Sequence, residues 1–260
     1  MKLYIFILLL STSVLSFGQG KAGNSKNQKK LDKQTILGIQ VSPLIPSNFL
    51  EKNDYKYESD SVNYSINNQS SISYGVEIRH YFTYRFAINT GIIYTRRNIK
   101  VDYDSHYTYD NYYTRGTDTT FSRDLKFTAF EIPIKASGYV RLNKEIYMSI
   151  AGGINLNFYP SNIRVDNIYV QRIGTQIGSK AWQFFQLGVS ASLGWEYRTK
   201  NSGIIYLGAS YQAHFDDMAS VLIFEEETIH KADFSKNIKG SYFSIDIKYF
   251  FPINEKSRKE

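Results

Sequence analysis

The sequence predicts an all-β fold: an eight-stranded antiparallel up-and-down transmembrane β-barrel with short periplasmic turns and four long extracellular loops. Apolar residues recur at every second position from Gln34 onward, which is the period of strands rather than helices. Connections between the candidate strands alternate between about two to four residues and about 20 to 25 residues, as in barrels with periplasmic turns and external loops. An even number of strands then places both chain ends on the periplasmic side.

Composition excludes several classes of protein and site. The 260 residues are 42% hydrophobic, and the mean hydropathy of -0.36 is too low for a bundle of membrane helices. The chain has no cysteine, which excludes disulfides, zinc-thiolate sites, a thiol nucleophile and a lipidated N-terminal cysteine. We predict no cofactor and no metal site.

The first 18 residues have the pattern of a signal peptide. Lys2 precedes the apolar run "LYIFILLLSTSVL", and small residues follow, so we predict cleavage after Gly18. The apolar run is shorter than the roughly 20 residues that a spanning helix needs. Residues 19–33 form a predicted basic flexible linker that contains much of the net charge of +7. Because an exported chain seldom meets nucleic acid, we predict no nucleic-acid partner.

Eight candidate strands make up a predicted barrel domain at residues 34–251, and a periplasmic C-terminal tail follows at 252–260. Short turns are predicted at Thr83, Asn143 and Thr199. The predicted strands run from Gln34 to Pro43, Ser71 to Phe82, Arg85 to Arg97, Leu125 to Leu142, Glu145 to Phe158, Ala181 to Arg198, Gly203 to Phe215 and Gly240 to Phe251.

Alternation within the strands separates an apolar face from a polar one. A soluble lipocalin-type barrel would show the same period with its apolar face turned inward, so alternation alone leaves both readings open. The polar face is mostly Gly, Ser, Ala and Asn, which favours a crowded lumen over a surface in water. Aromatic residues predict two membrane-interface girdles, made of Tyr81, Tyr84, Tyr139, Trp195, Tyr197 and Tyr249 at the turn ends and Tyr94, Phe158, Trp182 and Phe215 at the loop ends.

Charged residues on the predicted inner face should form ion pairs in the lumen. In "FEIPIKASGYV", Glu131 and Lys135 point inward, whereas Ile132 and Ile134 meet lipid. An unpaired charge in so confined a space would cost several kcal/mol, so a mixed cluster with a structural role is expected. Its predicted members are Glu77, Arg79, Glu131, Lys135, Glu196, Arg198, Asp246 and Lys248.

The same strand carries a family resemblance. "FEIPIKASGYV" resembles the Glu-Ile-Pro strand of PorT-like outer-membrane β-barrel proteins, and the short turns, long loops and Phe-terminated last strand also fit that family. The resemblance implies a barrel inserted into outer-membrane lipid by the barrel assembly machinery. It also implies a role that, in a few relatives, is tied to protein secretion or gliding.

The loop "VDYDSHYTYDNYYTRGTD" is the candidate binding surface, for a surface protein, a glycan or a secretion-apparatus component. Tyrosine supplies rigid amphipathic contact area, which suits binding a protein or a glycan. The alternative is that the segment extends two strands above the membrane as a hairpin whose tyrosines pack on neighbouring loops. The candidate residues are Tyr103, Tyr107, Tyr109, Tyr112 and Tyr113.

An enzyme is the alternative function, because "QAHFDDM" could supply a base and its orienting carboxylate at the outer rim. His214 is followed by Asp216 and Asp217, but no serine is tied to them by sequence. A lone histidine at a strand end is more often structural. We therefore predict no catalytic residue, and an outer-membrane barrel of structural or surface-interaction type with its lumen closed by polar side chains.

Overall fold

The computed structural model describes residues 32–49, 54–58, 62–105, 119–160, 168–170, 173–178, 185–199, 202–225 and 234–252. The predicted signal peptide, most of the basic linker and most of the C-terminal tail lie outside the described residues. In the described part of the chain, no helix is long and apolar enough to cross a membrane.

Eight long antiparallel strands form a closed barrel, which confirms the predicted fold class. Each strand pairs with the next one along the barrel, and the first pairs with both the second and the last. Closure pairs every wall strand on both sides. The wall strands are β1 (Thr35–Pro46), β3 (Val62–Thr83), β4 (Phe86–Ser105), β5 (Thr119–Arg141), β6 (Ile146–Phe158), β9 (Phe185–Arg198), β10 (Ile204–His214) and β13 (Tyr242–Phe250).

Both ends of the barrel chain lie beside the short turns. The backbone of Tyr81, close to the β3–β4 turn, donates to the carbonyl of Gln34, and Phe251 donates to the carbonyl of Leu37. Asp32 accepts a hydrogen bond from the backbone of Tyr84 in the same turn, at 2.6 Å. The segments before β1 and after β13 therefore leave the barrel at one end, here named the turn end.

The long connections at the opposite end, the loop end, contain strands of their own. One of these, β2 (Tyr55–Glu58), pairs with the outer part of β3. The others form a separate four-stranded sheet in the order β12-β11-β8-β7. They are β7 (Ile168–Val170), β8 (Ile173–Gly178), β11 (Ala219–Glu225) and β12 (Phe234–Ile238).

Strands β3, β4 and β5 extend well beyond their predicted loop-side ends. The prediction of those ends was wrong because outward-facing residues change there from apolar to polar, although the backbone pairing continues. Ser65, Asp102 and Ser122 are cross-strand partners on this polar outer face. A β-bulge in β3 between Gln69 and Ile72 absorbs one extra residue and keeps the inner face of β4 continuous.

The outer face of the barrel wall is apolar, and the inner face is polar. Ile72, Val76 and Ile78 of β3 are exposed, whereas Ser73, Glu77 and Arg79 of the same strand are buried. A soluble lipocalin-type barrel would show the opposite arrangement. The structure therefore assigns the apolar face to lipid, in agreement with the predicted lumen.

Aromatic contacts mark where the apolar band ends on the loop side. Tyr74 and Tyr94 have ring centroids 4.9 Å apart, and Tyr94 and Phe130 are 5.6 Å apart. Phe158 and Phe185 continue this girdle at 5.2 Å.

At the turn end, Trp195 and Tyr197 are exposed, as expected for a girdle. The girdle prediction was wrong for Tyr81 and Tyr139, which are buried in the lumen because they occupy inward positions of β3 and β5. Trp182, predicted at the loop-end girdle, lies outside the described residues.

Pro133 lies inside the wall rather than at an edge. It pairs with Asn155 of β6, and the pairing of β4 with β5 omits Ile132 and Pro133 without a shift in register. Proline has no backbone N–H, so one missing ladder contact is the expected local cost. The strand accommodates that loss because its pairing resumes on both sides of the gap.

The closed barrel predicts heat modifiability of the protein from isolated outer membranes. Without boiling it should migrate differently on a denaturing gel than after boiling, because the closed ladder resists the detergent. Protease added to intact cells should cleave near Tyr109 if the loop end faces outward. A soluble protein with no mobility shift would contradict the membrane assignment.

Candidate functional site

Glu196 is the centre of a buried ion-pair group near the turn end of the lumen. Its carboxylate accepts from Arg79 Nη1 at 2.5 Å and from Arg198 Nε at 2.9 Å. The side chain of Glu196 is 0% exposed, so both arginines neutralise it in a space that water does not reach. Arg79 lies on β3 and Arg198 on β9, and the group therefore ties two wall strands that are not neighbours.

A second carboxylate extends this group toward the middle of the lumen. Glu77 accepts from Lys248 Nζ at 2.5 Å, and its other oxygen lies 3.6 Å from Arg79 Nη2. Arg79 also donates to Asn89 Oδ1 at 3.2 Å. Five of the predicted lumen charges are in contact here, and they are named the turn-end cluster: Glu77, Arg79, Glu196, Arg198 and Lys248.

An aromatic layer surrounds the turn-end cluster. The guanidinium carbon of Arg79 lies 3.8 Å from the ring centre of Phe250, and that of Arg198 lies 4.0 Å from the ring centre of Tyr147. Such contacts hold the arginines in place by cation–π attraction. The aromatic layer consists of Tyr81, Tyr139, Tyr147, Tyr206 and Phe250, which pack with the buried aliphatic residues Ile36, Ala87 and Ile204.

Glu131 belongs to a separate group near the loop end. One of its oxygens accepts from the Tyr242 hydroxyl at 2.9 Å, and the other lies 3.6 Å from Arg97 Nη2. The Tyr242 hydroxyl is also 2.7 Å from Gln212 Oε1. The expectation that Glu131 would pair with the turn-end charges was therefore wrong, because Arg97 and Tyr242 lie at its own height in the barrel.

Arg97 connects this group to the start of the last strand. Its Nη1 donates to the backbone carbonyl of Gly240, its Nη2 is 3.5 Å from His214 Nε2, and its guanidinium stacks 4.5 Å from the ring centre of Tyr242. Gly240 has a positive φ of 81°, a conformation that glycine adopts without steric cost. Arg97, Glu131, Gln212, His214 and Tyr242 are here named the loop-end cluster.

Between the two clusters is a polar cavity of about 20 Å³, here named the central cavity. This volume suits about one water molecule. Lys135 and Asp246, the two remaining residues of the predicted network, both line it. Asp246 accepts from the Ser244 hydroxyl at 2.8 Å. The described residues thus contain all eight predicted lumen charges, but in three places rather than one.

His214 is buried, with 2% of its surface exposed, and it does not form a catalytic pair with Asp216 or Asp217. Its Nε2 lies 3.2 Å from Gln212 Nε2 as well as 3.5 Å from Arg97. Asp217 instead accepts from Asn237 Nδ2 at 2.7 Å. The side chain therefore packs within the lumen, where the Ser241 hydroxyl accepts a hydrogen bond from the backbone N–H of His214 at 3.4 Å.

Tyr103 is the one member of the predicted loop surface within the described residues, and it is buried at 2% exposed. It packs on Tyr64 with ring centroids 5.5 Å apart, as the extended-hairpin alternative predicts. Tyr107, Tyr109, Tyr112 and Tyr113 lie outside the described residues.

On the opposite, outer face of this extension, polar residues contact one another. Asp102 is 3.1 Å from the Lys100 ammonium and 3.3 Å from the Ser65 hydroxyl. Partial burial would raise the pKa of Asp102, but hydrogen bonds from Ser122 and Lys100 outweigh it and hold that pKa below its usual range. Water-facing groups of this kind place the extension above the lipid.

Sequence reasoning missed Arg97, Gln212 and Tyr242 as functional neighbours of Glu131. Arg97 shares the inward parity of Asn89 and Thr95 on β4, and this signal was present in the sequence. The predicted strand ends at Arg97, so the pattern alone assigns this residue to the rim and not to the lumen. Tyr242 was missed because aromatic residues were assigned to the lipid interfaces.

One family model and several solved structures are similar to this chain. The family model described as "Outer membrane protein beta-barrel domain" matches residues 21–218. The outer membrane protein OprG from Pseudomonas aeruginosa has 10% identity and a TM-score of 0.48, with 84% of this chain and 96% of that chain covered. The translocator domain of the autotransporter NalP from Neisseria meningitidis has 11% identity and a TM-score of 0.33, with coverage of 86% and 91%. No curated protein matches the sequence.

Proposed function

Because this chain belongs to the outer membrane protein β-barrel domain family, we propose that it is a closed barrel of structural or surface-interaction type whose long loops bind a partner outside the cell. The observation that carries this proposal is that the two ends of the barrel differ in the amount of structure beyond the wall. The turn end has short connections, whereas the loop end has an extension of β3, β4 and β5 and a second sheet. Extra structure of this size on one side of the membrane is well suited to recognition.

The filled lumen argues against transport as the main role. Two charged clusters and an aromatic layer occupy the interior, and the central cavity suits about one water molecule. An eight-stranded barrel is just wide enough for its own side chains. The protein therefore offers its surface, rather than its interior, to a ligand.

Aromatic residues at the loop end give the proposed surface its chemistry. Tyr57 on β2 is 42% exposed and stacks on Tyr64 with ring centroids 5.4 Å apart. The hydroxyl of Tyr55 donates to the carbonyl of Asn237 on β12 at 3.3 Å, which joins β2 to the four-stranded loop-end sheet. An exposed tyrosine stacked on a buried one suits contact with a glycan or a surface protein, and Tyr107, Tyr109, Tyr112 and Tyr113 would extend the same surface.

Export and assembly complete the proposal. Residues 1–18 would act as a signal peptide, residues 19–33 as a basic linker and residues 252–260 as a periplasmic tail. The barrel assembly machinery would insert the wall into outer-membrane lipid. A component of a secretion apparatus is the third class of partner, beside a surface protein and a glycan, in keeping with the resemblance of "FEIPIKASGYV" to PorT-like proteins.

The loop tyrosines are expected to control ligand capture. With the barrel in lipid nanodiscs on a glycan array, Tyr109→Ala/Tyr112→Ala should lower the signal about tenfold or more, as expected when aromatic anchors at the centre of an interface are lost. Tyr249→Ala, at the turn end, serves as the matched control and should bind like the unmodified protein. His214→Gln should also leave binding unchanged.

Two results would count against the glycan reading. No signal on the array would leave a surface protein to be sought by crosslinking on intact cells. If the loop variant and the turn-end variant lost the same fraction of the binding signal, the loop surface would not be the binding site. An activity that disappears with His214→Gln while the barrel stays folded would favour the enzyme alternative.

A further inference from the structure

We propose that the lumen is a latent aqueous path closed by two independent seals in series, so that either seal alone prevents conduction. The turn-end seal is the turn-end cluster with its aromatic layer. The loop-end seal is the loop-end cluster under Gly240. The central cavity lies between them and is lined by both charged and neutral polar side chains.

Each seal spans the barrel rather than one stretch of wall. The turn-end seal joins Arg79 of β3, Tyr139 of β5, Glu196 of β9 and Lys248 of β13. The loop-end seal joins Arg97 of β4, Glu131 of β5, Gln212 of β10 and Tyr242 of β13. Charged and aromatic groups held across the full width by their partners leave no continuous water column for an ion.

The central cavity has the chemistry of a site for one buried water molecule. Gln40 Oε1 is buried and has no hydrogen-bond partner among the described residues, which leaves it for a water. The cavity is lined by polar side chains that include Lys135, Ser210 and Asp246. A space of this kind would be costly if it were dry, so we take it as the interior segment of the path.

The two seals share no direct hydrogen bond or ion pair among the contacts described. Glu131 contacts the loop-end partners, and Glu77 and Glu196 contact the turn-end partners. Removing one arginine also leaves its carboxylates partly satisfied. Without Arg79, Glu196 keeps Arg198 and Glu77 keeps Lys248; without Arg97, Glu131 keeps the Tyr242 hydroxyl.

The test is current through a planar lipid bilayer, with matched variants that take one arginine and one tyrosine from each seal. Arg79→Ala/Tyr139→Ala opens the turn-end seal. Arg97→Ala/Tyr242→Ala opens the loop-end seal and removes both described partners of Glu131, so its folding is verified before current is measured. We expect the unmodified protein and both two-residue variants to stay at the baseline of the empty bilayer. The four substitutions together should give discrete current steps.

A cysteine in the central cavity identifies the route of that current. The chain has no cysteine of its own, so Ser210→Cys added to the four substitutions provides a unique thiol beside the cavity. A cationic methanethiosulfonate reagent should then reduce the step size, and it should leave the four-substitution protein without the cysteine unchanged. The same reagent effect would not arise if ions leaked between barrel and lipid.

Folding of every variant is checked by heat modifiability. If the four-substitution protein is not heat-modifiable, Arg79→Ala/Arg97→Ala takes its place. Current steps from that variant would then support the proposal, and a baseline trace would contradict it. Conduction by a variant with only one seal removed would overturn the series arrangement. A heat-modifiable combined variant that stays at baseline, or current that the thiol reagent does not affect, would overturn the latent path.

Discussion

Glu196→Ala is expected to lower the free energy of unfolding by about 3 to 5 kcal/mol, the usual loss when one partner of a buried ion pair is removed. Glu196 is fully buried and neutralises both Arg79 and Arg198. Without it, Arg79 keeps only the 3.6 Å contact with Glu77 among its described carboxylate partners, and Arg198 keeps the carbonyl of Tyr84 at 3.4 Å. Two guanidinium groups in one confined region would then repel each other.

The measurement is the urea concentration at which half of the barrel in lipid vesicles is unfolded. The folded fraction is read from the mobility shift on gels. Glu145→Ala is the matched control, because its carboxylate lies at the same end of β9 but accepts from Tyr197 on the outer rim. The control should unfold at the midpoint of the unmodified protein. Equal midpoints for Glu196→Ala and the unmodified protein would show that the turn-end cluster does not hold the barrel together.

Gly153→Ala is expected to destabilise the barrel by about 1 to 3 kcal/mol, the usual cost of overpacking. A Cβ at Gly153 would overlap the carbonyl oxygen of Ile134 and lie 2.7 Å from the Cα of Lys135 on the neighbouring strand. These are backbone atoms of the ladder, so they cannot turn away as a flexible side chain would. Relief requires the β5–β6 pair to move apart.

The neighbouring glycine provides the control for this prediction. Gly152 points to the opposite, exposed face, and the nearest atom to a Cβ there is the carbonyl oxygen of Ser190 at 3.8 Å. Gly152→Ala should therefore leave the urea midpoint unchanged or slightly raised. Similar midpoints for the two variants would mean that the strands separate easily at Gly153.

The sequence of each strand was sufficient to predict that these charged residues point into the lumen, because alternate residues share a face. Glu77 and Arg79, two residues apart on β3, must share a face once the strand is recognised, and Glu196 and Arg198 on β9 follow the same rule. The partners were not predictable in this way. Arg79 and Glu196 are 117 residues apart, on strands that do not pair.

Local sequence also did not show where the strands end on the loop side, or that the wall continues beyond the membrane there. The outer part of β4 alternates polar residues such as Lys100 and Asp102 with buried Ile99 and Val101. That pattern belongs to a sheet in water with one covered face, so it resembles neither a lipid-facing strand nor a simple loop. Only the pairing of β4 with β3 and β5 shows that the wall continues above the membrane.

The amino-acid sequence by itself determined the class of this protein, because strand period, turn spacing and the small polar inner face are local properties of the chain. Tertiary structure alone decided that Glu131 pairs with Arg97 and Tyr242, that His214 is packed in the lumen, and that Tyr81 and Tyr139 point inward. The physical reason is that side chains in a closed barrel meet across the interior. Which ones meet depends on the tilt and stagger of eight strands together, and no single segment contains that information.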